Sequence, residues 1–160
     1  MSFMFSVIDK KYIILDCPSE ETLPRYLDVL KEQSVTDLVR ICDADNTYNA
    51  KILEDHGITV HDDIKFQDGG VPDGPAIEKW LQLTYRASGM IGVHCVSGIG
   101  RAPVLVTISL IENGMDPLDA IEYIRKHRRG ALNKRQIQYI DRYKSRRRKR
   151  NFFSSLFKGS

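Results

Sequence analysis

The chain has 160 residues, of which 42% are hydrophobic, so it is long enough for one globular domain with a core but too short for two. No run approaches the roughly 20 apolar residues of a membrane-spanning helix, and the N-terminus lacks the charged start and apolar stretch of a secretory signal. Three unevenly spaced cysteines do not indicate a disulfide framework, which favours a reducing cytoplasm.

The net charge of +3 conceals a strong asymmetry between the two ends of the chain. Residues 1–124 carry 10 basic and 20 acidic groups, whereas residues 125–160 carry 14 basic groups and one acid, Asp141. The polybasic stretch Arg142–Arg150 suits an anionic membrane surface, and the alternatives are a solvated tail or a nuclear-import signal. No aromatic interleaving or reader motif indicates nucleic acid as a partner. Apolar residues at helix-like spacing, suited to a membrane interface, follow at Phe152, Phe153, Leu156 and Phe157.

Short apolar runs alternate with amphipathic stretches through the first ninety residues. In chain order the pattern predicts a strand at Tyr12–Leu15, a helix capped by Ser19, a strand at Thr36–Ile41, a brief helix at 48–55, a strand at Ile58–His61, a helix at Pro75–Ala87 capped by Asp73, and a strand at Ile91–His94. Such alternation indicates an α/β fold with a mostly parallel central sheet flanked by helices. Ligands of this fold class bind at the carboxyl ends of the strands.

The remainder of the chain is predicted to be helical. One buried helix runs from Ala102 and is ended by Gly114. The next begins after Asp116 with proline at its first position and has a predicted buried stripe of Leu118, Ile121 and Ile124. Asn133 caps the last helix, which packs through Ile137, Ile140 and Tyr143 before the basic stretch begins. These boundaries predict a folded domain at 1–143 and a polybasic, partly aromatic tail at 144–160.

A chemically distinctive loop, with the sequence HCVSGIGRAP, joins the strand at Ile91–His94 to the buried helix. Cys95 and Arg101 lie six positions apart, with Gly98 and Gly100 between them. Helix N-termini carry partial positive charge and attract anions. This charge, together with that of Arg101, favours the thiolate form of Cys95 and so makes the cysteine a nucleophile. The backbone amides expected to hold an oxyanion belong to Val96, Ser97, Gly98, Ile99, Gly100 and Arg101. An inert buried cysteine would leave the charge of Arg101 without a partner at considerable cost, so the loop predicts phosphate binding or catalysis.

Transfer of a phosphoryl group to Cys95 requires a proton donor for the leaving oxygen, usually a carboxyl group on a mobile loop. The segment HDDIKFQDGGVPDG offers Asp62, Asp63, Asp68 and Asp73. Spacing does not choose among them, although Asp73 is explained more simply as a helix cap. The other interpretation of Asp68 is a turn residue before two glycines.

A family resemblance rests on the string GVHCVSGIGRAPVLV and on three further segments, RIC at Arg40–Cys42, FQDG at Phe66–Gly69 and IRKHRRGALNKRQIQYIDRY at Ile124–Tyr143. The chain resembles the phosphatases of regenerating liver (PRL), in the dual-specificity-like branch of the cysteine-dependent protein tyrosine phosphatases. The resemblance covers roughly residues 8 to 150. It implies hydrolysis of phosphomonoesters through a phosphocysteine intermediate, without a metal ion or other cofactor.

The resemblance also assigns individual roles. It implies that Asp68 is the acid, and that Ala102, where most cysteine phosphatases have serine or threonine, slows turnover. His94 is expected to orient the loop rather than to act as a base. Cys42 is implied to form a reversible disulfide with Cys95, the alternative being an ordinary buried thiol, and no role is assigned to Cys17. The sequence departs from the family pattern near the acid, at Ile64, Lys65 and Gln67.

The sequence is compatible with several classes of substrate and of partner. Phosphotyrosine is the first expectation, with phosphoserine, phosphothreonine and phosphoinositides also compatible. One alternative is a weakly catalytic regulatory module that binds a CNNM-type magnesium transporter through its phosphate loop, and a homo-oligomer is left open. Sulfur transfer of the rhodanese type is a further alternative that Asp68 disfavours. The chain ends Phe-Lys-Gly-Ser without the prenylated cysteine box usual in the family, so prenylation is not assigned to these residues. Either the natural C-terminus is truncated in this sequence, or a peripheral position at the inner face of a membrane rests on charge and on the phenylalanines.

Overall fold

The computed structural model of the chain describes residues 5–42 and 47–146. The basic stretch beyond Arg146 and the apolar residues that follow it lie outside the described residues. The elements in chain order are β1 Phe5–Ile8, β2 Tyr12–Leu15, α1 Leu23–Glu32, β3 Val35–Arg40, α2 Ala50–Glu54, β4 Thr59–His61, α3 Gly74–Arg86, β5 Met90–His94, α4 Arg101–Glu112, α5 Pro117–His127 and α6 Lys134–Asp141. No helix within these two ranges is long and apolar enough to cross a bilayer.

The sheet has the strand order β1-β2-β5-β3-β4, and every pairing is parallel except that of β1 with β2. The predicted mostly parallel α/β fold is therefore confirmed. Side chains of β2 alternate between two cores, because successive residues of a strand point to opposite faces. Tyr12 and Ile14 join the core beneath α3 to α6, whereas Ile13 and Leu15 join the smaller core beneath α1 and α2.

Three of the predicted caps are confirmed. The side chains of Asp73, Asp116 and Asn133 each accept a hydrogen bond from the first turn of α3, α5 and α6. Ser19 is not the cap of α1, which begins at Leu23 with Thr22 in the cap position. The hydroxyls of Ser19 and Thr22 instead bond within the preceding turn, because residues three apart there face each other.

The buried stripe of α5 differs from the prediction at one residue. Leu118 is 61% exposed, and the buried residues are Ala120, Ile121 and Ile124. At 100° per residue the stripe is centred close to Ile124, and Leu118 lies about 115° from that centre, outside the apolar face.

Helix α4 is buried along its whole length. It begins directly after the loop that follows β5. The carboxyl ends of β2, β3 and β5 therefore meet beside the N-terminus of the most buried helix, which is where an α/β sheet binds its ligands.

Candidate active site

The loop from Cys95 to Gly100 connects β5 to α4 and curls around the N-terminus of that helix. Cys95 is 2% exposed, and the backbone N–H of Gly98 donates a hydrogen bond to its Sγ at 3.3 Å. Gly98 has φ +70°, in the left-handed region that only glycine enters at little cost. The structure thus places the cysteine sulfur against a backbone amide of the loop, just before the N-terminus of α4, where an anion is stabilised.

Arg101 is the first residue of α4, and its guanidinium is only partly engaged by the protein. Nη1 donates to the carbonyl of Ile41 at 2.9 Å and to that of Phe66 at 3.4 Å. Nε is buried and has no hydrogen-bond partner among the described residues. The nearest carboxylate oxygen, Asp68 Oδ1, lies 3.8 Å from Nε, which is too long for a hydrogen bond. One buried cationic N–H therefore remains available for an anion.

A second arginine supports the loop from behind. Arg128 Nε donates to the carbonyl of Gly98 at 3.2 Å and Nη2 to that of Ser97 at 3.4 Å, while Nη2 also pairs with Asp16 at 2.5 Å. The N–H of Leu132 binds the carbonyl of Ile99 at 2.7 Å. These bonds hold the carbonyl oxygens of the loop away from the anion site, so the loop amides are free to point toward that site. Sequence reasoning missed Arg128, because no local pattern reveals a contact across thirty residues.

The four candidate acids occupy different environments. Asp62 forms a two-point ion pair with Arg40 at 2.7 and 2.8 Å, and Asp73 caps α3. Asp63 is exposed, 3.9 Å from Lys79. Asp68 alone among these four lines cavities that include residues of the phosphate loop or Arg101. Its side chain is 84% exposed, so it faces those cavities and solvent.

Two open clefts flank Asp68. One of about 290 Å³ lies between the acid-bearing loop and the phosphate loop, and its lining includes Ser97, Ile99 and Gly100. The other, of about 520 Å³, is lined on the far side by Lys65, Phe66, Gln67 and Arg101. A phosphoryl group bound by the loop would thus be reached through a shallow approach rather than a deep pocket.

The acid-bearing loop is tied to the start of α6. Asn133 Nδ2 donates to the carbonyl of Gly69, and Gln136 Nε2 donates to that of Gly70, both at 3.0 Å. Gln136 also accepts from the N–H of Asn133, which completes the capping box of α6. Gln136 was not predicted as a site residue. The capping box was visible in the sequence, but its second contact was not.

His94 is fully buried behind Cys95. One ring nitrogen, Nδ1, contacts the carbonyl of Cys95 at 3.2 Å, and Nε2 contacts the hydroxyl of Tyr48 at 2.6 Å. Burial raises the pKa of Tyr48, so its hydroxyl stays protonated and donates to Nε2. This arrangement places His94 as a support of the loop backbone. Tyr48 was not identified from the sequence.

The three cysteines are free thiols. Cys42 follows β3 and Cys17 follows β2, and their sulfur atoms lie within 4.8 Å of each other. Contact between the two thiols lowers the pKa of Cys42, whereas the same contact and burial raise the pKa of Cys17. The immediate neighbours of the Cys42 sulfur are thus Cys17 and His94, a grouping that the sequence did not reveal.

No family model matches the chain. Among curated proteins, a probable protein tyrosine phosphatase type IVA A of Dictyostelium discoideum is 46% identical over 143 residues, which cover 86% of this chain and 84% of that protein. Protein tyrosine phosphatase type IVA 3 of Mus musculus is 43% identical over 145 residues, covering 88% and 82%. The Drosophila melanogaster relative is named PRL-1 phosphatase and is 39% identical, covering 86% of this chain and 80% of that protein.

Solved structures agree with this relationship. A putative protein tyrosine phosphatase from Leishmania major has a TM-score of 0.76 at 36% identity and covers 88% of this chain and 98% of its own. PTPMT1 in complex with PI(5)P has a TM-score of 0.72 at 18% identity, with 86% and 92% covered, which shows a shared fold. With the cysteine and arginine on one loop and relatives similar over most of their length, the chain belongs to the protein tyrosine phosphatase type IVA (PRL) family.

Proposed function

We propose that the chain hydrolyses phosphomonoesters, phosphotyrosine foremost, through a phosphocysteine formed on Cys95. The observation that carries the proposal is a buried sulfur, bonded by the Gly98 N–H at 3.3 Å, on the same loop as the unpartnered Nε of Arg101. A thiolate beside a free cationic donor suits attack on a phosphoryl group, because charge on the equatorial oxygens must be stabilised as the bond to the leaving oxygen breaks.

In the first step Cys95 Sγ attacks phosphorus in line, and the leaving oxygen takes a proton from Asp68. The loop amides from Val96 to Arg101 and the Arg101 guanidinium hold the equatorial oxygens. In the second step water attacks the phosphocysteine, Asp68 accepts its proton, and the thiolate leaves. Ala102 supplies no hydroxyl to assist this departure, so the second step limits turnover.

A direct test compares hydrolysis of a fluorogenic aryl phosphate by the wild type and by Cys95→Ser under strong reductant. We expect turnover only in the wild type, with a phosphorylated Cys95 peptide detected by mass spectrometry after acid quenching. Equal background rates in the two proteins would remove the enzyme proposal.

The open approach to the phosphate loop lets several classes of phosphate ester reach it. Val96 and Ile99 are 62% and 44% exposed at its rim, so no wall excludes a short or branched phosphate ester. We therefore include phosphoserine, phosphothreonine and phosphoinositide headgroups, since the structural relative PTPMT1 was solved with PI(5)P. Phosphate release from matched phosphopeptides and from phosphoinositide vesicles ranks these classes, and release from lipid alone would remove phosphotyrosine from the proposal.

The proposed function includes redox control through a disulfide between Cys42 and Cys95. Arg40 and His94 are in register on the adjacent strands β3 and β5, so the two cysteines follow the same edge of the sheet. A hydroperoxide oxidises the Cys95 thiolate to a sulfenic acid and is itself reduced. The Cys42 thiolate then attacks that sulfur and expels hydroxide. Non-reducing peptide mapping after peroxide treatment should give the Cys42–Cys95 pair, and its absence while Cys95 is oxidised would refute the control.

A second candidate function is a regulatory module with little turnover, for which the partner class implied by the resemblance is a CNNM-type magnesium transporter. The exposed apolar side chains of Val96 and Ile99 beside the phosphate loop favour it, because such residues at a site rim suit protein contact. Two measurements separate the enzyme from the regulatory module: calorimetric titration with the purified transporter domain, and the turnover assay. Tight binding without turnover favours the regulatory module. Sedimentation of the free protein tests a homo-oligomer.

We place the phosphatase domain at residues 1–143 and a membrane-directed tail at 144–160. The 14 basic groups of residues 125–160 support a peripheral position at the anionic inner face of a membrane. Flotation with anionic liposomes should occur at low salt and weaken at high salt. No flotation at either salt concentration would remove this location.

A further inference from the structure

Three side chains with metal-binding chemistry meet behind the phosphate loop. Cys17 follows β2, Cys42 follows β3, and His94 ends β5, and these strands are adjacent in the order β2-β5-β3. Each side chain therefore leaves the same edge of the sheet. The two sulfur atoms and a ring nitrogen of His94 all lie within 4.8 Å of one another.

The spacing is close to that of a tetrahedral metal centre. Zinc bonds of about 2.3 Å to sulfur and 2.0–2.1 Å to nitrogen place the donor atoms about 3.5–3.8 Å apart. A contraction of at most about 1.3 Å brings the three donors to that geometry. Cys17 is only half buried, so its side chain has room to make this movement and leaves a path for an ion.

The hydrogen bonds of His94 fix its tautomer. The carbonyl of Cys95, 3.2 Å from Nδ1, accepts the ring proton, which leaves the lone pair on Nε2. Histidine ligands in metal sites are oriented by the same type of contact, with the distal N–H given to a carbonyl or carboxylate. The Tyr48 hydroxyl, at 2.6 Å, occupies the Nε2 lone pair, and an ion bound through Nε2 displaces this hydroxyl.

We propose that Cys17, Cys42 and His94 form a site for a thiophilic divalent cation, with zinc as the best match, separate from the catalytic thiol. Two thiolates and one imidazole with an open fourth position form a ligand set found in zinc enzymes. Binding of the ion displaces the proton of the Cys17 thiol to solvent, and the two thiolates then neutralise the charge of the ion, which offsets repulsion from Arg40 and Arg101 nearby. Occupation engages Cys42 and so removes it as a disulfide partner of Cys95.

The test is metal binding, measured without turnover, so its outcome is independent of the proposed phosphatase reaction. The fully reduced protein is titrated with Zn²⁺ in competition with a chromophoric chelator. A parallel titration with Co²⁺ reports thiolate ligation through a charge-transfer band in the near ultraviolet. We expect one ion per chain and a clear thiolate band. Absence of that band in the reduced wild type would overturn the proposal.

Four variants separate this site from its neighbours. Cys17→Ser and Cys42→Ser should each weaken metal binding by about 100-fold or more. Losing a group that only supports a metal ligand already costs up to about 100-fold in affinity, and these cysteines are ligands themselves. Cys95→Ser should bind as the wild type does, and loss of binding in this variant alone would assign the ion to the catalytic thiol and overturn the proposal. Tyr48→Phe should bind more tightly, because it removes the competing hydroxyl. A purely structural role of Tyr48 predicts weaker binding instead.

Discussion

Ala102 has no exposed surface and follows Arg101 in the first turn of α4. Its methyl group offers no hydrogen bond to the departing thiolate in the second step of the proposed reaction. We expect Ala102→Ser to raise the steady-state rate about tenfold, the effect of one hydrogen bond of about 1.4 kcal/mol, without changing the first turnover. Burst kinetics with an aryl phosphate separates the two steps.

The control for this change is Ala120→Ser, which places a hydroxyl at another fully buried alanine, in α5. It should leave the ratio of burst to steady rate as in the wild type. An unchanged ratio in Ala102→Ser would contradict the assignment of slow turnover to the missing hydroxyl.

Gly98 shows how little space the phosphate loop has. A Cβ at this residue would collide with the Arg128 guanidinium and lie 2.9 Å from the carbonyl oxygen of Leu15, and its φ of +70° adds strain. We expect Gly98→Ala to lower the free energy of unfolding by about 1–3 kcal/mol and to reduce turnover strongly, because the amide that binds Cys95 moves. Urea unfolding and kcat/KM measure the two effects.

Gly74→Ala is the matched control, because a Cβ there meets no atom within 4 Å and φ is not positive. Full retention of turnover by Gly98→Ala would show that the close contact with Arg128 does not shape the loop.

Residues differ in how visible their roles are in a sequence. Cys95 and Arg101 are close in the chain, so their shared loop could be recognised from spacing. Arg128, Gln136 and Tyr48 act on backbone or side chains that are 30 to 66 positions away. Only the folded chain brings such partners together, and their residue types are common on any surface.

At the scale of elements, α6 determines where the acid-bearing loop lies. Gln136 is fully buried and joins the carbonyl of Gly70 to the backbone N–H of Asn133. Replacing it by leucine leaves both backbone groups without this partner and should displace Asp68 from the cleft.

We expect Gln136→Leu to slow hydrolysis of an alkyl phosphate by about tenfold or more, while an aryl phosphate with a good leaving group is affected much less. The reason is that only a poor leaving group needs the proton from Asp68. Gln138→Leu, an exposed change on the same helix, should leave both rates unchanged. An equal loss on the two substrates would mean that Gln136 supports the phosphate loop rather than the acid.

Elements with strong caps and long apolar stripes were predictable, as α3 and α6 show. Strand β1 was missed, because it has four residues, is partly exposed, and gains its identity only by pairing with β2. The start of α1 was misplaced for a similar reason: Ser19 and Thr22 are equally good capping types, and the choice depended on the hydrogen bonds of the turn. Short-range patterns do not contain these pairings.

At the scale of the whole molecule, the Arg40–Asp62 ion pair joins β3 to the segment after β4. Hydrogen bonds from Arg40 hold the pKa of Asp62 below its ordinary value of 3.8. A carboxyl whose folded pKa is depressed adds stability above the unfolded pKa, and this stability is lost as pH falls through the folded pKa. The pair therefore contributes at neutral pH and fades in strong acid.

We expect Asp62→Asn to lower the free energy of unfolding at pH 7 by about 1–2 kcal/mol, a modest figure because the carboxylate is 39% exposed. The difference from the wild type should shrink below about pH 4. Asp63→Asn, at an exposed carboxylate, is the control. Urea unfolding at pH 7 and pH 3.5 measures both, and a difference that is constant with pH would disprove the electrostatic origin.

Glu112, at the end of α4, holds the last described residues against the domain. Its carboxylate accepts from the Tyr143 hydroxyl at 2.7 Å, the Ser145 hydroxyl at 3.0 Å and the Arg146 N–H at 2.9 Å. We expect Glu112→Ala to free this segment, so that trypsin cleaves after Lys144 several-fold faster. The exposed Glu122→Ala serves as a control. Mass spectrometry of timed digests gives the rates, and equal rates would show that other contacts hold the segment.

The same carboxylate determines at which end of the molecule residues 143–146 lie. Arg101 and Glu112 occupy opposite ends of α4, about 16 Å apart at 1.5 Å per residue. Arg146, the last described residue, is therefore held at the end of the molecule that is remote from the phosphate loop. In the proposed membrane-bound state, with that end against a charged bilayer, the sulfur of Cys95 would face the aqueous side and meet phosphate on projecting polypeptides before phosphate in the same lipid layer. The direction of one buried helix would thus sort substrates by their height above the membrane.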